Sequence, residues 1–385
     1  MIRERLSRRL KIYDLKIDTQ FVGSRESGVS FVYKIMPPLP SNAFSLAAIV
    51  RSSKTQTRNN DHNQQQYVLV HEKYPRGWWL PGGGMEYKDS TPVDAAVRET
   101  MEEAAAPNCN EVPIMTHLLS LEQSPGRIRF IFRGEWSDDN NTYLKCAPGD
   151  DESIEAKWVT WDELNKFNRR RRRHGQRTND DSDNQLSSTM IVSHPWLRGH
   201  EPLTFFGMLE KSQQNNSVPG LEVLDLDDQK NVVGAYFSQL DAYHQSTEGE
   251  VVQNLTGGRD TFLINLHCRL FIYDRENQHF AVLSKTIDNQ YEQTLRQVTN
   301  ELISHFSSSL LESGLLRIEY TSENENESTL TVFPYAIISS NLDSSIDIAW
   351  ASKDDLTDSL DRKLAAILTR GKGNLADLNI LKDTE

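Results

Sequence analysis

The sequence predicts an α/β protein built in two halves, and three observations carry that expectation. The chain has 385 residues, more than one hydrophobic core ordinarily organises. Short apolar runs alternate with helix-like segments, the order of an α/β fold. The pattern of the first half also returns in the last third. Ile154-Glu155-Ala156-Lys157-Trp158-Val159 matches Ile346-Asp347-Ile348-Ala349-Trp350-Ala351, and Arg98-Glu99-Thr100-Met101-Glu102-Glu103 sits over Arg296-Gln297-Val298-Thr299-Asn300-Glu301. The two offsets, 192 and 198 residues, nearly agree, so both halves are expected to share one fold.

Composition removes several function classes. Seven Trp, twelve Tyr and fourteen Phe are too many aromatics for a disordered chain. A net charge of −13 gives no broad surface to neutralise duplex nucleic acid, although a metal ion can bring the positive charge that a phosphorylated substrate needs. The longest apolar run, Phe44–Val50, falls far short of a membrane span. The cysteines Cys109, Cys146 and Cys268 form no CxxC pair, which argues against a disulfide framework or zinc ribbon and for a reduced compartment. The Arg-rich start of the chain has the look of a transit peptide, but Glu4 and Asp14 weaken it. A cytoplasmic protein is expected, with a nuclear or mitochondrial fraction left open.

Taken in order, residues 1–43 form an N-terminal extension. Residues 44–168 form the first domain. Within it, strands are expected at 44–50, 67–72, 116–122, 127–136 and 155–160, with a polar loop from Arg51 to Gln66 and a short helix from Trp161. Residues 169–190 form a polar linker that opens on five consecutive arginines, Arg169 to Arg173. It is either solvated chain or a segment for nuclear import or an anionic partner. Residues 191–250 read as a helical connector whose helix at 196–211 packs on the first domain. Residues 251–385 form the second domain, with strands at 261–274, 278–287, 315–321, 329–338 and 346–351, and a helix at 291–313.

The chemistry concentrates on the helix expected at 91–106. Thr91 is a natural N-cap, Pro92 fits the first helical position and Asp94 completes a cap-like box. Pro107 and Asn108 stop the helix. Val93, Val97, Met101 and Ala104/Ala105 make an apolar stripe. Glu99, Glu102 and Glu103 fall together on another face, because residues three and four apart on a helix are neighbours. Three adjacent carboxylates repel one another unless a hard cation joins them. Magnesium takes oxygen ligands at roughly 2.1 Å and keeps positions open for water and substrate phosphate. The turn Pro81-Gly82-Gly83-Gly84 just upstream lets backbone approach a ligand closely. The bland alternative is an acidic helix face with pairs such as Arg98 and Glu102.

Leu80-Pro81-Gly82-Gly83-Gly84-Met85-Glu86 followed by Ala95-Ala96-Val97-Arg98-Glu99-Thr100-Met101-Glu102-Glu103 resembles the Nudix (MutT-type) hydrolase signature. That signature is a glycine, five residues, a glutamate, seven residues, then Arg-Glu-apolar-x-Glu-Glu-x-Gly-apolar. Three departures are visible. The first glutamate is missing and counting back from Arg98 lands on Ser90, with Asp89 the nearest acid; the late glycine is Ala105; the apolar position is Thr100. More narrowly, Gly77-Trp78-Trp79-Leu80-Pro81, Leu118-Leu119-Ser120-Leu121-Glu122, Arg129-Phe130-Ile131-Phe132 and Glu152-Ser153-Ile154 before Trp158 are similar to the animal 8-oxo-dGDP phosphatase group. The resemblance implies an α/β/α sandwich with a mixed sheet, followed by a second, degenerate Nudix-like α/β domain.

It also implies roles. Glu99, Glu102 and Glu103 would hold Mg²⁺ (or Mn²⁺), Arg98 would orient a glutamate, and Gly82, Gly83 and Gly84 would meet the substrate. Glu152 is either a base or extra metal ligand, or merely one acid of Asp150-Asp151-Glu152. Of Trp78 and Trp79, which face opposite ways on a strand, Trp79 is the one assigned to the nucleobase. Arg127 and Arg129 share a strand face that either is solvated, the favoured reading, or meets phosphates, and His71 and His117 read as ordinary strand histidines rather than ligands. The second half shows Gln297, Asn300 and Glu301 in place of the three glutamates, so it is expected not to be catalytic and to serve packing, regulation or a protein partner. The implied activity is hydrolysis of an oxidised purine nucleoside diphosphate to monophosphate and phosphate. Cleavage of another substrate such as ADP-ribose is the first alternative, and a nucleotide-binding module without turnover is the second.

Overall fold

The computed structural model describes residues 42–51, 65–73, 77–86, 88–124, 126–136, 144–146, 153–167, 196–215, 217–225, 231–239, 263–287, 293–324, 327–339, 349–370 and 375–383. The N-terminal extension up to residue 41, Glu152 and the whole expected linker with its arginine run lie outside them.

In the first half the strands are β1 (Asn42–Arg51), β2 (Gln66–Glu72), β3 (Gly77–Trp79), β4 (Gly82–Gly84), β5 (Ile114–Ser124), β6 (Arg127–Trp136) and β7 (Ser153–Thr160), with helix α1 (Pro92–Ala104) between β4 and β5. Helix α2, residues 161–167, follows β7. Next come α3 (Glu201–Gln214), β8 (Leu221–Leu224) and β9 (Gly234–Gln239). The last third supplies β10 (Leu263–Asp274), β11 (His279–Ile287), α4 (Leu295–Ser304), β12 (Leu310–Asn324), β13 (Glu327–Ile338), α5 (Ser359–Arg370) and β14 (Leu381–Asp383). Fourteen strands among the described residues form one mixed sheet in the order β11-β10-β13-β12-β9-β8-β5-β6-β1-β2-β3, with β14 beside β5, β4 beside β1 and β7 beside β2. No helix among the described residues is long and apolar enough to cross a membrane.

The same order of pairings occurs twice. In the first half β1 runs parallel to β6, antiparallel to β4 and β2, and β6 closes an antiparallel hairpin with β5. In the last third β10 runs parallel to β13, antiparallel to β11, and β13 closes a hairpin with β12. A helix precedes each hairpin. The two sets meet through the segment expected only to connect them. Strand β8 is antiparallel to β5 and parallel to β9, and β9 is parallel to β12. Strands β5 and β12 therefore run in opposite directions, as a two-fold rotation about the sheet normal would leave them.

One face of this sheet carries a core common to both sets. Ala95, Ala96 and Ala104 of α1 pack with Ala47, Ile49, Phe130 and Phe132, and the cluster continues into Leu266, Val298, Tyr320 and Leu330. Phe237 of β9 stands at the join, with ring centroids 6.1 Å from Phe130, 5.4 Å from Phe132 and 6.2 Å from Tyr320. The continuous apolar run of β1 follows from burial on both faces: Ala43, Ala47 and Ile49 join the α1 side, while Leu46, Ala48 and Val50 join Phe205 and Phe206 of α3.

Three local expectations need correction. The helix expected at 291–313 ends at Ser304, and β12 begins at Leu310. Thr294 and Gln297 form a capping box that starts it, and Ser307-Ser308-Ser309 ends it because serines bond the local backbone instead of continuing a helix; Ser309 Oγ donates to the Phe306 carbonyl at 3.2 Å. The helix expected from 196 begins at Glu201, while Trp196–Arg198 runs beside β3 through Trp78 N to Trp196 O and Arg198 N to Trp78 O, each 2.9 Å. Residues 346–348 lie outside the described set, and Ala351 makes an isolated bridge to Phe280.

A shared core makes the two sets of strands one folding unit. Phe130→Ala is expected to cost about 3–5 kcal/mol and to leave a single unfolding transition in calorimetry. Two separated transitions, only one of them shifted, would contradict the common core.

Candidate active site

Helix α1 starts where the sequence says it should. Thr91 is extended at φ −142°, its side chain accepts from Asp94 N, and Pro92 opens the helix. Its buried face differs from the expected stripe, however: Ala95, Ala96, Thr100, Glu103 and Ala104 are buried, while Val93, Val97 and Met101 are half-buried. Alanines let the helix lie close on the sheet, which pulls Glu103 into the interior. A buried carboxylate needs hydrogen-bond donors, and Gly82 N supplies one at 2.9 Å from Glu103 Oε2.

The three glycines of β4 each meet one side chain of α1. Gly82 has φ +155°, and a Cβ there would lie 2.5 Å from the Ser45 carbonyl oxygen, so glycine is required. A Cβ on Gly83 would lie 2.5 Å from Glu99 Oε1. The carbonyl of Gly84 accepts from Arg98 Nη2 at 2.8 Å. Turn and helix are thus held at contact distance along their length.

Arg98 is the centre of the cluster. Its Nε and Nη2 grip the two oxygens of Asp89, each at 2.8 Å. Its Nη1 donates to Glu99 Oε1 and to Glu102 Oε2, both at 2.9 Å. Burial disfavours the charged guanidinium, but bonding to Asp89 and the charges of Glu99 and Asp89 outweigh it and raise its pKa. Asp89 stands one residue before Ser90, the position where the signature has its first glutamate. It also folds its own loop, accepting from Glu86 N at 2.8 Å and donating its own N–H to the Glu86 carbonyl at 2.9 Å. Exposed Lys88 adds a second cation, 2.9 Å from Glu86 and 3.4 Å from Glu102.

Three further residues carry no signal in the motif. The last turn of α1 has no basic residue, which leaves its carbonyls and its negative dipole end without a local cation. Buried Lys145 supplies one from a distant loop, its Nζ donating to the Glu102 carbonyl at 2.6 Å, while Ser153 Oγ donates to the Glu103 carbonyl at 2.7 Å. Ser45, fully buried and paired in register with Gly83, has an Oγ without a hydrogen-bond partner among the described residues.

The structure therefore brings together Arg98, Glu99, Glu102, Glu103, Gly82, Gly83 and Gly84. It does not bring Trp79 to them as an open face. Trp79 is buried in the α3-side core, with the Arg198 guanidinium 5.2 Å from its ring centroid and Gly199 pressed on its edge. Arg198 is held there by Glu72 at 2.6 and 2.7 Å. Arg129 is bound to Glu122 and, at 3.3 Å, to Glu201, so it is not a solvated strand face; exposed Arg127 lies over the Phe44 ring. His117 is a strand residue whose pKa burial lowers to about 4, with Arg133 adding to the effect. His71 stacks on Trp78 at 4.7 Å.

The donor set fits a hard divalent cation in its chemistry. Glu99 and Glu102 already converge on one positive nitrogen, the Arg98 Nη1, and the unpartnered Ser45 hydroxyl leaves a donor beside the same turn. Among the described residues no three acidic, histidine or cysteine side chains stand as a finished ligand cage, so holding an ion requires Glu99 and Glu102 to turn from the guanidinium.

Removing the anchor of the cluster is expected to be costly. Asp89→Ala leaves Arg98 unpaired on one side and should destabilise the fold by about 3–5 kcal/mol. Lys88→Ala, at an exposed ion pair, should change stability by less than about 1 kcal/mol. Equal, small effects in chemical denaturation would contradict the central place given to Asp89.

Part of the chain is similar to known proteins. Residues 57–178 match the NUDIX domain family. No curated protein matches the chain. Among solved structures it is similar to a NUDIX hydrolase from Nitrosomonas europaea, at 22% identity over 36% of this chain and 75% of that one, TM-score 0.24. It is also similar to a UDP-X diphosphatase, at 19% identity over 34% of this chain and 55% of that one, TM-score 0.24. A third is a C. elegans Ap4A hydrolase, at 16% identity over 32% and 84%, TM-score 0.22. The chain carries a Nudix domain, covering about a third of its length.

Proposed function

We propose that the chain is a divalent-metal-dependent Nudix-type hydrolase that cleaves the phosphoanhydride of nucleoside diphosphate derivatives, with α1 and the β4 glycines as its site. One observation carries the reading: Glu103, Glu99 and Arg98 of one helix each meet one glycine of a three-glycine strand, and Arg98 gathers Glu102 beside Glu99. A structural acidic helix face needs no such partner.

Glu99, Glu102 and Glu103 are the residues that would hold Mg²⁺ or Mn²⁺. When bound, the ion neutralises phosphate oxygens and makes a water more acidic. The chain's own residues set the geometry around it. Gly82 N fixes the Glu103 carboxylate, Asp89 fixes Arg98, and Arg98 orients Glu99 and Glu102. Gly83, without a side chain, keeps the approach to Glu99 open. Glu152, one residue before the helix-capping Ser153, is the proposed base that takes the proton of the attacking water.

For substrate, we favour an oxidised purine nucleoside diphosphate of the 8-oxo-dGDP type, split to monophosphate and phosphate, on the resemblance of residues 77–81, 118–122 and 129–132 to that group. The last third is then a degenerate Nudix-like domain, residues 251–385, that has kept packing and lost catalysis. In support, Asn300 is exposed, Gln297 is spent on the cap of α4, and Glu301 pairs with Lys285 at 3.1 Å. Its exposed α4 face is the part offered to a protein partner. A second reading, nucleotide binding without turnover, has one point in its favour: Arg98 occupies two of the carboxylates.

The test is product formation from 8-oxo-dGDP, dGDP and ADP-ribose in Mg²⁺, for wild type and Glu102→Gln. The expected result is preference for 8-oxo-dGDP and a loss of at least about 100-fold in the variant, the upper end of what a residue supporting a metal site contributes. Preference for ADP-ribose would replace the substrate. Tight binding without product from any of them would move the second reading ahead.

A further inference from the structure

The fold explains two of the three glycines in β4 and leaves the third unexplained. Gly82 needs its positive φ, and Gly83 has Glu99 where a side chain would be. Gly84 has neither constraint: its φ is not positive, and among the described residues a Cβ there would meet only Phe44 Cε1, at an ordinary 4.0 Å. Glycine inside a strand is less stable than alanine. Where neither strain nor crowding requires it, it marks a place where something else approaches the backbone.

Two features say what that is. Gly84 touches both sides of its strand, its carbonyl accepting from Arg98 beside the carboxylates while its α-carbon faces the half-buried Phe44, its cross-strand partner. Phe44 in turn carries the guanidinium of exposed Arg127 at 4.5 Å from its ring centroid. The next position in the same cross-strand row is Arg129, fixed by Glu122 and Glu201, which gives the space a rigid far wall. A phenyl edge under a cation, one residue from a diphosphate site, suits a flat aromatic ring.

We infer that the space over Gly84, against Phe44, receives the aromatic base of the nucleoside diphosphate, so that Phe44 and Arg127 rather than Trp79 read the ring. This rests on the carboxylates being the diphosphate site, as proposed above. Gly84 is then where the substrate passes from one side of β4 to the other.

The experiment uses the full chain with Mg²⁺ and two uncleavable probes, α,β-methylene-GDP and the ring-free methylenediphosphonate. Affinities are measured by calorimetry for wild type, Gly84→Ala and Phe44→Leu. Both variants are expected to weaken the nucleotide analogue by about tenfold or more, while for Phe44→Leu the diphosphonate stays within about twofold, as loss of a base contact alone would leave it. Gly84→Ala should melt no lower than wild type, because the space for its methyl exists. Unchanged affinity for the nucleotide analogue overturns the inference and leaves the diphosphate site standing, and so does equal weakening of both probes in Phe44→Leu. A wild-type chain that binds neither probe overturns the diphosphate reading and this one with it.

Discussion

The site depends on one half-buried guanidinium. Arg98 carries a single positive charge against Asp89, Glu99 and Glu102, with the Gly84 carbonyl as a fourth partner. Like charges packed along one helix face repel, and a half-buried helix has little water to screen them. The arrangement is stable only because the charge is shared and because Asp89, itself buried, fixes the arginine from the far side. It is also a poised arrangement. An ion entering beside Glu99 and Glu102 meets carboxylates already gathered, and the guanidinium remains paired to Asp89 when they turn away.

The rest of the protein holds that cluster still. Ala95 and Ala96 set α1 down on the sheet, and Lys145 and Ser153 tie its far end. The sheet continues through β8 and β9 into a second set of strands with the same pairings. The C-terminal segment closes it, β14 adding to β5 while Gln123 of β5 accepts from Leu295 N at the start of α4. A helix on an isolated first half would lose Phe237 and Tyr320 from its supporting core. The last third therefore helps to support α1 and the strands beneath it.

Much of this was legible in the sequence, and the limits have physical causes. Glu99, Glu102, Glu103 and Arg98 stood out because a helix brings residues three and four apart together. Asp89 could be found by counting from the signature, although only the structure shows it gripping Arg98 with both oxygens. Lys145 and Ser153 could not be found that way, since they reach α1 from more than 40 residues along the chain. The only hint was a helix end without a cation of its own. Trp79 was misplaced because alternation along a strand gives a face but not what covers it, and Arg198 covers it from more than 100 residues away. Strands β8 and β9 showed no period because they are short and lie where the two sets of strands meet within one sheet.

The claim that these carboxylates form a cation site for a diphosphate can be tested without turnover. Mn²⁺, a spectroscopic stand-in for Mg²⁺, is titrated into the full chain and followed by electron paramagnetic resonance, with wild type compared to the Glu99→Gln, Glu102→Gln double variant. The account predicts bound Mn²⁺ in the wild type, tighter when a nucleoside diphosphate is added, and loss of that binding in a double variant that stays folded. Equal binding in both proteins, or none in the wild type with nucleotide present, would contradict it.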